Sequence, residues 1–149
     1  RSREIWLNNE FSTPSLGFHT KEILMTILFA TIRIYWIAIT LFTLAVITIL
    51  SFYPLQSLPS LPGSDKNHHF IAYGALMFPV ALRRPNYWMF IGLFFVFWSG
   101  GVEVLQAYVN RYGDWLDMAA NTAGIFFGFL AAQVITWCWP VNQNKNRQI

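Results

Sequence analysis

The chain has 149 residues, of which 55% are hydrophobic, 18% aromatic and only 11% charged. Soluble domains carry about 25% charged residues, so the deficit excludes an ordinary water-soluble core and indicates a membrane protein. The net charge of +3 is weak and dispersed, which excludes a nucleic-acid-binding surface. The length fits one domain. The single cysteine, Cys138, allows no internal disulfide. No signal peptide with a small-residue cleavage site opens the chain, and Arg1 in place of Met carries the expectation of a missing upstream piece.

Residues 1–22 are mixed and polar, with Pro14 and Gly17 as breakers, and read as a loose arm. Ile23 to Ile32 is apolar and reads as an interfacial helix or as a leading extension of the first span. Arg33 interrupts it and snorkels at the start of that span. From Ile34 to Phe52 the only polar members are Thr, Ser and the aromatic Tyr35. About 20 such residues cross roughly 30 Å of hydrocarbon as a helix. Pro54, Pro59, Pro62 and Gly63 then make a loop of residues 53–64, and Ser64 or Asp65 caps the next helix. That helix reaches about Leu82 and is short for a span. Arg83, Arg84, Pro85 and Asn86 form a tight basic turn. Tyr87 to about Leu105 is the third span, residues 108–116 a loop or frayed end, and Met118 to Trp139 the fourth. Pro140 and a polar tail follow. The expected fold is therefore all-α: a bundle of four transmembrane helices in residues 33–139, an arm in 1–32 and a tail in 140–149.

Four spans place Arg1, Arg3, Lys21, Arg33, Arg83, Arg84, Lys145 and Arg147 on one side, eight of the ten basic residues. Only Lys66 and Arg111 fall on the other. The positive-inside rule then puts both termini in the cytoplasm of a multi-pass membrane protein. The polar residues of the second, third and fourth helices gather at the outer ends, where they can converge.

Asp65, His69 and Tyr73 are spaced i, i+4, i+8 and share a helix face. Glu103, Gln106 and Asn110 share another, and Asp117, Asn121, Gly124 and Gly128 a third. Gly124 and Gly128 make a small-xxx-small pair that lets a neighbouring helix approach. Plainer roles compete. Asp65, Asp114 and Asp117 suit helix caps, Lys66 and Arg111 suit the interface, Tyr73 and Asn121 suit hydrogen bonds between helices. Adjacent histidines point about 100° apart on a helix, so His68 and His69 do not both face the site. Glu103 resists such readings. It lies about two turns, roughly 10 Å, inside its helix end, too deep for a cap, and needs a partner such as Arg111, His69 or Lys66 or a raised pKa. Glu103, His69 and Asp117 are the candidate catalytic residues, and Asp65, Lys66, Tyr73, Gln106, Arg111, Asp114 and Asn121 the candidate substrate-binding ones. No cofactor is expected. A divalent metal on Asp65, His69, Glu103 and Asp117 stands second to an intramembrane ion pair, because one facing histidine is thin for zinc. A serine triad is disfavoured, since no GxSxG occurs and Ser99 lies deep in an apolar span.

The run Asp65-Lys66-x-x-His69-Phe70, with Tyr73 and Leu76 after it, resembles the first signature of the VanZ-like membrane proteins. Glu103-x-x-Gln106, then Arg111-x-x-Asp114-x-x-Asp117-x-x-x-Asn121-x-x-Gly124-x-x-x-Gly128, resembles the second. The likeness covers roughly Arg33 to Trp139. It departs in the lead segment before Arg33 and at Asn110 and Tyr112-Gly113, where a Pro-Gly turn is expected before the arginine. It implies a bacterial cytoplasmic-membrane protein with an outward-facing polar site, in a family whose named member is linked to low-level resistance to teicoplanin, a glycopeptide with an acyl tail. It supplies no reaction.

Three roles follow as expectations. In the first, the outer cluster binds the polar head of an amphiphile, such as a lipidated glycopeptide or a lipid-linked wall precursor, and the gap between helices takes its acyl chain. In the second, the chain is an intramembrane hydrolase or transferase, with His69 as base or metal ligand, Glu103 as acid or base and Arg111 as an anion clamp. In the third, the polar residues only fix helix register for a partner subunit. The expected partners are the lipid bilayer and such an amphiphile, and no nucleic acid.

Overall fold

The computed structural model of the protein describes residues 16–52, 65–106, 108 and 115–138, and among them there are five α-helices and no strand. These are α1 (Leu16–Ile34), α2 (Trp36–Phe52), α3 (Asp65–Arg83), α4 (Trp88–Gln106) and α5 (Trp115–Cys138). Both α4 and α5 are long and apolar enough to cross a membrane, and α1 with α2 makes a third such unit if the bent pair counts as one span. Large apolar side chains point outward from them: Phe42 is 71% exposed, Phe90 75% and Phe97 69%. Soluble monomers rarely leave such side chains in one continuous apolar surface. Hydrocarbon is the solvent that suits them.

The lead segment departs from expectation. The helix already begins at Leu16, so residues 16–22 belong to α1 rather than to a loose arm, and Gly17 lies within it. Nor does α1 extend the next span in a straight line. The two helices meet at Tyr35 with a bend of 74°. A straight rod from Ile23 to Phe52 would be about 45 Å long at 1.5 Å per residue, against a hydrocarbon core of about 30 Å. Bending relieves that excess. The backbone carries through it, with Tyr35 N donating to Thr31 O and Ile39 N to Tyr35 O, each at 3.0 Å. Arg33 consequently sits in the last turn of α1, not at the head of a span.

The core is organised on α3, which touches each of the other four helices and packs most extensively on α5. Tyr73, Leu76, Met77 and Val80 are almost fully buried along it. The inward face of α5 runs Asp117, Asn121, Gly124, Gly128 and Ala132, a helical repeat of small and polar side chains. A Cβ on Gly124 would collide with the Phe70 carbonyl oxygen of α3, and one on Gly128 with that of Gly74. The two backbones thus lie closer than any other side chain at these positions would allow. At the far end, α3 stops at Arg83 and turns into α4. Arg84 takes a positive φ of 50° and donates its backbone N–H to Val80 O at 2.8 Å. This is the left-handed stop that closes many helices, with Pro85 behind it. The Arg84 side chain then donates to Gln133 Oε1 of α5 at 3.2 Å and lies 5.8 Å from the Trp88 ring.

Candidate functional site

Three helices each supply two polar residues one turn apart: His69 and Tyr73 from α3, Ser99 and Glu103 from α4, Asp117 and Asn121 from α5. The chain runs one way in α3 and α5 and returns in α4, so the six residues form two layers. His69, Glu103 and Asp117 make the outer layer, near the start of α3, the end of α4 and the start of α5. Tyr73, Ser99 and Asn121 make the inner one, each at most 1% exposed. The depth expected for Glu103 changes with this. Helix α4 ends at Gln106, so Glu103 lies one turn, not two, from its end.

Hydrogen bonds knit the inner layer and orient the outer one. Asn121 Nδ2 donates to Ser99 Oγ at 2.7 Å. The Tyr73 hydroxyl is also hydrogen-bonded to Ser99. With its amide nitrogen so committed, Asn121 turns Oδ1 toward His69 Nδ1, 3.1 Å away. An amide oxygen only accepts, so His69 Nδ1 carries the proton in this pair. In the neutral ring, Nε2 is then the lone-pair nitrogen. It faces Asp117 Oδ2 at 3.9 Å, beyond hydrogen-bond length. One ligand atom from each of His69, Glu103 and Asp117 lies within 4.8 Å of the other two. Glu103 Oε2 is buried and accepts no hydrogen bond, while the residue keeps other interactions. Asp117 is in the first turn of α5, where the positive end of the helix dipole favours a carboxylate. These three residues are the group that could hold a metal ion among the described residues.

Asp65 is the first residue of α3, and Lys66 beside it is exposed. Gln106 is buried and donates Nε2 to the Ser51 carbonyl at 2.9 Å, so it fastens α4 to the end of α2. Gly124 and Gly128 lie on the α3 backbone. Arg111 and Asp114 lie outside the described residues. Ser99 was not among the expected residues, yet its hydroxyl joins Tyr73 to Asn121. Its place four residues before Glu103 was the available signal, because that spacing keeps both on one helix face.

The family model described as VanZ/LLP1 matches the chain over residues 3–136. No curated protein and no solved structure matches it.

Proposed function

The chain belongs to the VanZ/LLP1 family, and on that premise we propose that it binds the polar head of an amphiphilic envelope molecule in a bacterial cytoplasmic membrane. In this reading α3 is the second of four spans, both termini are cytoplasmic, and the layer of His69, Glu103 and Asp117 opens outward. The observation that carries it is the meeting of these three ionisable groups at one end of a bundle whose outer faces are apolar. Ionisable groups at such a place in a membrane protein belong to ligand or ion sites by default. An amphiphile matches both halves of the surroundings: its head meets the cluster and its acyl chain lies along the helices. Lys66, exposed at the start of α3, supplies a cation for an anionic head, and Arg111 joins it by its place in the sequence motif.

Low-level resistance to lipoglycopeptides follows from that binding. Deleting the gene lowers the inhibitory concentration of teicoplanin, which has an acyl tail, more than that of vancomycin, which has none. An equal change for both drugs removes the acyl chain from the account.

A second reading, an intramembrane hydrolase or transferase on a lipid-linked substrate, is favoured by one feature. A histidine held in a single tautomer with its free nitrogen beside two carboxylates is suited to proton transfer. Cells carrying Glu103→Gln or His69→Ala then lose the phenotype. Full phenotype in both, with normal protein levels, excludes catalysis by this cluster.

A further inference from the structure

The outer layer gathers an imidazole and two carboxyl groups, a donor set that binding of an amphiphile does not by itself call for. One ligand atom from each of His69, Glu103 and Asp117 lies within 4.8 Å of the other two, and the Nδ1–Asn121 bond turns Nε2 of His69 toward the Asp117 carboxylate. We propose that His69, Glu103 and Asp117 bind a divalent first-row metal ion, with Asn121 and Ser99 as the outer support that fixes the histidine. The inference rests on the proposed role of this cluster in engaging a polar head, and it names the group that makes the contact.

Charge and geometry agree with this. Two carboxylates and a neutral imidazole balance a doubly charged ion. Ligand atoms around a tetrahedral zinc at about 2.0–2.1 Å lie roughly 3.3 Å apart. The 3.9 Å between His69 Nε2 and Asp117 Oδ2, and the 4.8 Å limit for all three, close to that by small side-chain rotations. The outer support is the arrangement metal-binding histidines take, with the remaining ring N–H donating to a fixed acceptor. Here that acceptor is Asn121 Oδ1, fixed in turn by the bond to Ser99. Three of the four ligands expected from the sequence, His69, Glu103 and Asp117, come together. One nitrogen and two oxygens suit Zn²⁺, Mn²⁺ or Co²⁺ better than Ca²⁺, which takes six to eight oxygens. Three protein ligands leave a coordination position for water or for an anionic oxygen of the bound head, such as a phosphate or carboxylate.

The test uses the full chain in detergent, stripped with chelator and dialysed against Zn²⁺ or Co²⁺. One tightly held ion per chain is expected by elemental analysis, with the visible absorption of low-symmetry Co²⁺. His69→Ala, Glu103→Gln and Asp117→Asn should each weaken binding at least tenfold. Asn121→Ala should weaken it by about ten- to a hundredfold through the histidine, and Gln133→Ala should leave it unchanged. Circular dichroism checks that each variant is still helical. A wild-type protein that holds no stoichiometric ion overturns the proposal whatever the variants do. So does a His69 that remains a protonated imidazolium at neutral pH in the presence of Zn²⁺, observed by NMR. Metal binding in a protein whose deletion leaves drug susceptibility unchanged supports this inference while removing the resistance reading.

Discussion

Asn121 makes two bonds that constrain each other: donating Nδ2 to Ser99 Oγ leaves Oδ1 for His69, and the histidine tautomer follows. Interhelical hydrogen bonds in membrane proteins contribute about 0.6 kcal/mol on average and up to about 1.7. Asn121→Leu keeps the bulk and removes both, so unfolding in a denaturing detergent titration should become easier by about 1–3 kcal/mol. An unchanged midpoint would mean that the pair does not hold the helices. Gln106 is the contrasting case. Its bond to the Ser51 carbonyl ties α4 to α2, so Gln106→Leu should cost about 1 kcal/mol and leave metal binding intact. A loss of metal binding in that variant would return Gln106 to the site. Position along the helix axis, not angle around it, separates the two roles, and periodicity reports only the angle. Four residues advance about 400°, so Ser99 and Glu103 lie within about 40° of each other. Gln106 is seven residues beyond Ser99 and within about 20° of it on the same face, but about 10 Å further along the axis, where it reaches the end of α2 instead. His69, Tyr73, Asp117 and Asn121 were legible from the same periodicity. Ser99 was not, because a lone hydroxyl in an apolar run also bonds its own helix backbone, as Thr48 does with the Leu44 carbonyl.

The glycines of α5 act on whole helices. A side chain on Gly128 would meet the α3 backbone at Gly74, which has no flexible end to yield. Gly128→Leu must therefore push α3 and α5 apart and loosen the outer layer along with them. A fall in melting temperature in detergent of several degrees is expected, together with weaker metal binding. Gly101 is the control. Nothing lies within 4 Å of a Cβ placed there, so Gly101→Ala should raise stability by up to about 1 kcal/mol through helix propensity alone. If the two variants shift the melting temperature equally, close backbone approach is not what joins α3 to α5. The paired glycines were visible as a spacing, but the helix they meet was not, since nothing in α5 names its neighbour. The bend at Tyr35 was hidden for a different reason. It answers the excess length of Ile23 to Phe52 taken as one rod, and the apolar run of Ile23 to Ile32 reads equally as an extension of the span or as an interfacial helix.

Across the molecule, the proposed four-span topology includes α3, which hydropathy alone does not count as a span. Its first half carries Asp65, Lys66, His68 and His69, and it is not apolar enough to stand alone in lipid, yet the other four helices contact it. A helix so enclosed is solvated largely by protein, and His69 on it faces Asp117 and Asn121 in place of hydrocarbon. Hydropathy scales measure the cost of exposure to lipid, a cost that this helix avoids through its neighbours. The same enclosure sets up a test of orientation. Helix α3 begins at the ionisable layer and ends at Arg83 and the Arg84 turn, so in the proposed four-span topology its two ends lie at opposite faces of the membrane. Cys138 is the only cysteine, and Cys138→Ser provides a background for single labels. In intact cells a membrane-impermeant maleimide should label Lys66→Cys, at the exposed start of α3. It should label Asn86→Cys, in the turn after Arg84, only once the membrane is permeabilised. The inverse pattern would turn the ionisable layer toward the cytoplasm, and an amphiphile arriving from outside would meet the basic turn. Labelling of both positions in intact cells would mean that α3 does not cross at all and that the bundle has fewer than four spans.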